Sequence, residues 1–288
     1  MQRTTVTLSV LLMAASVLAQ TPQCDRLDRG SKKLAMKILD SEYAYECCDE
    51  TISKCLDAKA PSRLVRRLAD NVCRRVAQGQ DEVRIRRALS RRARSMLGDG
   101  VVAEIDLTSA PSTGPSEAPV VVVVYACARC PYCSRLVPAL VEEVSEGGAL
   151  EGKVRLVFRI FPIKGHEGST AAGLAFAAAD EMDAFWPYLL TAYGHFDDFD
   201  PQSPELLGEW AVRSGLDGGE FEARLTDPAL RERIVRSKKE GLRNGVEETP
   251  TLFINGRRWV GDLEIVEVVD ALGEEVERCE EVLCDGSR

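Results

Sequence analysis

Apolar residues recur at helical spacing through the first third of the chain. Leu34, Ile38, Tyr45 and Ile52 fall on one face of a segment that starts at Ser31. Leu64, Val65, Leu68, Val72 and Val76 share a face of the next, and Ile85, Leu89 and Met96 of a third. A stripe with this period marks a helix that buries one side. Ala60-Pro61 separates the first helix from the second, and Gly79 ends the second. The spacing predicts a small three-helix unit within residues 24–100.

The pattern changes at Pro119. Val120 to Val124 are consecutive valines, and an unbroken β-branched run predicts a strand buried on both faces. Helical spacing returns at Leu136, Leu140 and Val144. Residues 153–163, KVRLVFRIFPI, predict a second strand. Residues 166–245 read as helical again. They include an alanine-rich stretch at 169–180, capped by Ser169 or Thr170, and the aromatic cluster FWPYLLTAYGHF at 185–196. Helical spacing of Phe185, Trp186 and Tyr188 makes them core residues. Thr251 to Ile254 predict a third strand, Asn255-Gly256 a hairpin turn, Arg257 to Val260 the return strand, and Leu263 to Leu272 a last helix. The expected class is α/β, preceded by a small all-α domain.

SAPSTGPSEAP, residues 109–119, is rich in Ser, Pro and Gly and reads as a linker. The expected organisation is a helical domain at 24–100, a linker at 101–118, an α/β domain at 119–275 and a tail at 276–288. Charge supports the division. Residues 24–100 carry a net +6 and residues 101–288 a net −16, in a chain of net −9. The arginines between 63 and 94 lack interleaved aromatics in a chain of acidic total charge, which argues against a nucleic-acid partner and for a solvated helix face or a face that docks on the acidic second domain.

Ten cysteines stand against two histidines, His166 and His195. That balance argues against a Cys/His metal cluster. At 288 residues the chain can bury a core without disulfides. The first residues explain the surplus. Arg3 precedes a 14-residue, mostly apolar run from Val6 to Ala19, too short to span a bilayer comfortably. Residues 1–19 read as a signal peptide cut before Gln20, or as an anchor if uncut. The expected location is periplasmic or secreted, where disulfides persist. If Ala60-Pro61 is the centre of a helical hairpin, Cys48 and Cys73 face each other as a structural pair, with Cys47 as a substitute. Cys279 and Cys284 pair locally, or one of them reaches Cys24; the connectivity of Cys24, Cys47, Cys55 and Cys127 stays open.

Residues 127–133 read CARCPYC. Cys130-Pro131-Tyr132-Cys133 sits where the first predicted strand ends and a helix begins. Free backbone N–H groups and the helix dipole favour a thiolate there, and Arg129 adds positive charge. A thiolate is the attacking species in thiol–disulfide exchange. Cys130 is therefore the expected exposed nucleophile and Cys133 the resolving cysteine, with Pro131 stiffening the loop between them. An iron–sulfur motif would place a further cysteine at position 137, which holds a valine, and no second Cys-x-x-Cys completes a zinc site. No cofactor is expected. Cys127 is a buried packing thiol or an exchange partner of the pair.

Together, CPYC, Pro138 in the following helix, Thr249-Pro250-Thr251 and the Asn255-Gly256 hairpin resemble the thioredoxin fold. The helical insertion at 166–245 resembles the DsbA-like family of exported thiol–disulfide oxidoreductases. The resemblance covers roughly residues 118–275. It implies a cis proline at Pro250 beside the redox pair, and a Thr249 backbone able to pair with an extended substrate. Active-site support is then expected from Arg129, Pro131, Tyr132, Thr249 and Pro250. It also implies protein substrates carrying thiols or disulfides, and a redox partner, membrane-bound or not, that resets the pair. Oxidase, isomerase and reductase directions stay open. The family often has a buried acid where this chain has Val124, and Glu247 and Glu248 read as surface charges. The alternative is a non-catalytic thioredoxin-fold binding module or chaperone with structural cysteines.

Overall fold

The computed structural model describes residues 21–98, 101–108, 110–201, 203 and 205–286. The segment read as a signal peptide lies outside them. Contacts divide the chain into two compact units. One extends to Arg87 and takes in the tail from Leu283, and the other is Ala88–Val282.

The first unit holds α1 (Pro22–Asp25), α2 (Arg29–Leu39), α3 (Ile52–Leu56), α4 (Arg63–Ala77) and the start of α5 (Glu82–Leu97). Side chains close the exposed N–H groups at two helix starts. Asp28 accepts from Gly30 and Ser31 ahead of α2, and Ser62 accepts from Val65 in α4. α4 buries Leu64, Val65, Leu68 and Val72, as its periodicity predicts, and packs on α1, α2 and α3.

The first predicted helix is shorter than expected. α2 ends at Leu39, and the chain then turns through an isolated bridge between Tyr43 and Thr51, with Cys47 in the left-handed region at φ 68°. Tyr45 and Ile52 therefore do not extend the face of α2. With α3 only five residues long, no antiparallel hairpin is centred on Ala60-Pro61. Cys48 and Cys73 are consequently not partners. The disulfides are Cys24–Cys73, Cys47–Cys284 and Cys48–Cys55. Cys279 is free and exposed, so it does not pair with Cys284. Peptide mapping of unreduced protein is expected to recover the Cys47 and Cys284 peptides joined. Recovery of a Cys279–Cys284 loop instead would contradict this arrangement.

The second unit is built on a mixed five-stranded sheet. Its strands are β1 (Ser112–Thr113), β2 (Val120–Ala126), β3 (Val154–Ile160), β4 (Thr251–Ile254) and β5 (Arg257–Arg258), in the order β1-β3-β2-β4-β5. β2 and β3 run parallel from Val120 beside Val154 to Ala126 beside Ile160, and β4 is antiparallel to β2. The valine run is the central strand, covered on both faces. α6 (Cys133–Val144) and α12 (Ile265–Cys279) pack together, α6 against β3 and α12 against β2. Pro138 lies inside α6. The insertion comprises α7 (Ser169–Glu181), α8 (Phe185–Gly194), α9 (Glu205–Arg213), α10 (Gly218–Leu225) and α11 (Pro228–Arg243).

Contacts do not break at the expected linker. From Ala88, α5 already belongs to the second unit, where Arg92 is buried in ion pairs with Glu274 and Asp270. Ala103, Ile105 and Leu107 pack on the core cluster of Val123, Tyr125 and Phe253. Ala103 N–H donates to Gly256 O at 2.9 Å. Ser112–Thr113 then pairs with β3 as an edge strand. The segment is a strap, because its apolar residues alternate with polar ones at strand spacing.

A buried polar network pins this strap to the insertion. Tyr125 Oη donates to Glu240 Oε1 at 2.6 Å, and Arg159 Nη2 lies 2.8 Å from the same oxygen. Asp106 N–H donates to Glu240 Oε2 at 2.9 Å. Burial and the neighbouring carboxylate raise the Tyr125 hydroxyl pKa. Gly241 permits the close approach of α11. A Cβ there would stand 2.7 Å from the Phe161 ring and 3.0 Å from that of Tyr125.

Candidate functional site

β2 ends at Ala126, and residues 127–132 make the corner that feeds α6. Cys130 N–H donates to Cys127 O at 3.1 Å, and Ser134 N–H returns to Cys130 O at 3.0 Å. Tyr132 caps α6 without a side-chain hydrogen bond, so the first N–H groups of the helix face the cysteines. From the far end of the fold, the Thr249-Pro250 peptide, which is cis, enters ahead of β4. Cys130 Sγ donates to Thr249 O at 3.2 Å. The sheet therefore brings together groups 119 residues apart in sequence.

Both cysteines are free thiols, and both are buried. Cys130 is 1% exposed, which corrects the expectation of an exposed nucleophile. The Thr249 carbonyl covers its sulfur, while Pro131 and Tyr132 face solvent. The Cys130 thiol is pulled down to about 5. The largest cause is the hydrogen bond from the Cys133 thiol. Burial opposes it, and the Cys133 N–H, the Thr249 side chain and the Tyr132 N–H add to the lowering. Burial and the shared hydrogen bond push Cys133 well above the ordinary thiol range. The pair is thus split into one sulfur that ionises readily and one that keeps its proton. Alkylation of Cys130 by iodoacetamide in the protein with its active pair reduced, read from the mass of its peptide, is expected to follow a thiolate with a midpoint near pH 5. A midpoint at 8 to 9, the range of an ordinary thiol, would remove the basis of the site.

Arg129 does not produce this shift. Its guanidinium lies over the rings of Phe196 and Phe199, at 4.4 and 4.3 Å from their centroids, and Nη1 donates to Phe196 O at 2.8 Å. It ties the corner to the insertion. Arg135, not anticipated from sequence, donates from Nε to Pro131 O at 3.0 Å and sits over the Tyr132 ring. An open cleft of about 610 Å³ lies beside Pro250, bordered by Tyr132, Arg135, Ala139 and Leu263.

Cys127 is buried, and burial pushes its thiol up. Its sulfur accepts from Arg129 N–H at 3.4 Å and lies 3.4 Å from His166 Nδ1. Sequence reasoning gave His166 no partner. The two residues stand 39 apart in the chain, and only the end of β3 brings them together. His195 is remote from this contact, paired with Asp198 at 2.9 Å. Val124 is fully buried in β2. Phe185 and Tyr188 belong to an aromatic core with Phe158, Phe176 and Phe221, and Trp186 Nε1 donates to Ser112 O. None of the three borders the cleft beside Pro250.

A family profile described as thioredoxin matches residues 108–273. Two curated relatives carry transporter names. The Na(+)/H(+) antiporter NhaA 3 of Salinispora tropica is 36% identical over 186 residues, 62% of this chain and 28% of that protein. The Na(+)/H(+) antiporter NhaA 1 of Salinispora arenicola is 34% identical over 182 residues, 61% of this chain and 27% of that protein. The chain spans about a quarter of the length of these relatives. No described helix is long and apolar enough to cross a membrane. Among solved structures, a thioredoxin-like oxidoreductase from Silicibacter pomeroyi DSS-3 is 26% identical. It covers 60% of this chain and 94% of its own, with a TM-score of 0.51. BdbD from Bacillus subtilis shares the fold at a TM-score of 0.55 and 20% identity, covering 62% of this chain and 100% of its own. The chain belongs to the thioredoxin family, and its inserted helices give it the DsbA-like form of that fold.

Proposed function

We propose that the protein is an exported thiol–disulfide oxidoreductase that acts on protein substrates through Cys130 and Cys133. One observation carries this reading. Cys130 stands at the strand–helix corner beside the cis Thr249-Pro250 peptide, and the hydrogen bond from the Cys133 thiol lets it ionise far below an ordinary thiol. In the oxidising direction, a substrate thiolate attacks Cys130 Sγ of the Cys130–Cys133 disulfide. The S–S bond breaks, and Cys133 leaves with the electron pair and takes up a proton. A second substrate thiolate then attacks the substrate sulfur of the mixed disulfide and releases Cys130 as a thiolate. The substrate loses two electrons and the pair gains them. In reverse, the Cys130 thiolate attacks a substrate disulfide, and Cys133 resolves the product.

The low pKa favours the oxidase direction. A thiolate stabilised in the reduced form makes that form the better product, which raises the oxidising power of the disulfide. The three disulfides of the first unit support an oxidising compartment. A thiol oxidant, in the membrane or outside it, restores the Cys130–Cys133 disulfide after each turnover. Equilibration with a glutathione redox series tests the direction. A potential near those of strong oxidants supports the oxidase, and one near that of thioredoxin overturns it in favour of a reductase.

A further inference from the structure

The second unit carries a cavity that thiol exchange does not use. It encloses about 540 Å³, within the range of small-molecule sites, roughly 300–1,000 Å³. Its border includes Arg94 near the end of α5, Val102 and Glu104 of the strap, Arg243 at the end of α11, Phe253 of β4 and Arg258 of β5. Cys130, Cys133, Tyr132 and Pro250 are not among its lining residues.

Several buried or half-buried arginines of this unit are matched to carboxylates. Arg92 meets Glu274, Arg159 meets Glu240, and Arg233 meets Asp180. Around the cavity the four lining arginines divide into two that are committed and two that are not. Arg257 is committed to Glu275, and Arg258 Nη1 donates to Gly245 O. The side chains of Arg94 and Arg243 make no hydrogen bond or ion pair with any described residue, and among the described residues Glu104 is the one carboxylate on the border. In a chain of net −9, two guanidiniums unmatched among the described residues and bordering one space leave a local positive field. The rest of the wall is mixed: Asn244 lines it beside Val101 and Val102, which are 69% and 63% exposed.

We propose that this cavity binds a phosphate monoester that carries an apolar body. The phosphate is nearly dianionic at neutral pH, so it matches two unpaired guanidiniums, whose planar forks suit its oxygens. The apolar body covers Val101 and Val102. A free organic phosphate and a phosphatidic lipid headgroup share this chemistry.

The probes are decyl phosphate in solution, followed by titration calorimetry, and vesicles with and without phosphatidic acid, followed by flotation. The expected result is saturable binding that weakens with salt. Decanol, which lacks the charge, is expected to bind at least about tenfold more weakly. The R94A/R243A double variant and Val102→Asp, which sets an acid at the mouth, should each lose affinity for the probe by at least about tenfold. Both should keep their insulin-reduction rate, since neither variant touches Cys130 or Thr249, so a fold defect is distinguishable from a lost site. Binding of decyl phosphate alone assigns the free ligand, and binding of phosphatidic acid vesicles alone assigns the lipid. Absence of binding in both arms, equal binding of decanol, or affinity unchanged in the double variant overturns the proposal.

Discussion

Replacing Cys130 with serine is expected to reduce dithiothreitol-driven insulin reduction to the uncatalysed background. A serine hydroxyl does not ionise near neutral pH and forms no mixed disulfide, so nothing of the exchange reaction survives. Cys133→Ser should behave differently. It retains the attacking sulfur but lacks the resolving one, so a mixed disulfide between Cys130 and substrate should accumulate and be seen by mass. The depressed Cys130 pKa also makes the stability of the reduced protein depend on pH. A group whose folded pKa lies below its unfolded value stabilises the fold fully above the unfolded pKa, here near 9, and progressively less down to the folded one, about 5. At pH 7 the remaining contribution is on the order of 3 kcal/mol. The oxidised form has no such term, so the gap between the two forms should close as pH falls towards 5. Wild-type rates in Cys130→Ser would instead assign the cysteines a structural role.

Glu240→Ala is expected to destabilise the second unit by roughly 3–5 kcal/mol, the usual cost of stranding a buried charge. The loss leaves the Arg159 guanidinium, the Tyr125 hydroxyl and the Asp106 N–H without the carboxylate they share. Glu240→Gln keeps an acceptor in place and should cost less, about 1–3 kcal/mol. All three tryptophans, at 186, 210 and 259, lie in this unit, so fluorescence during urea unfolding reports on it directly. A loss under about 1 kcal/mol for the alanine variant would mean that the network is not a stabilising element of the fold.

The redox corner was legible because its chemistry is local. Cys130-Pro131-Tyr132-Cys133 at a strand end, the valine run and the Asn255-Gly256 turn each carry their meaning within a few residues. The cover over Cys130 was not legible, since it comes from Thr249, and burial depends on what another strand delivers. The strap was misread for a similar reason. Ala103, Ile105 and Leu107 alternate as a strand does, but the Ser, Pro and Gly that follow suggested a free connector. Disulfide partners were also out of reach. Helical spacing placed Cys48 opposite Cys73 on an assumed hairpin, while the turn at Cys47 redirects the chain and Cys284 arrives from the tail. Glu240 gave no signal among the many charges of α11, and Arg129 looked like a charge for Cys130 until Phe196 and Phe199 claimed it.

The Cys47–Cys284 bridge sets an order of events during biosynthesis. Its two sulfurs are 237 positions apart, so a ribosome has made the whole catalytic unit before the second sulfur exists. Until then Cys47 waits as an unpaired thiol beside Cys48, whose own partner Cys55 follows almost at once. The amino-terminal unit is begun first and locked last, and a nascent chain held up in between leaves Cys47 without the sulfur it is to meet.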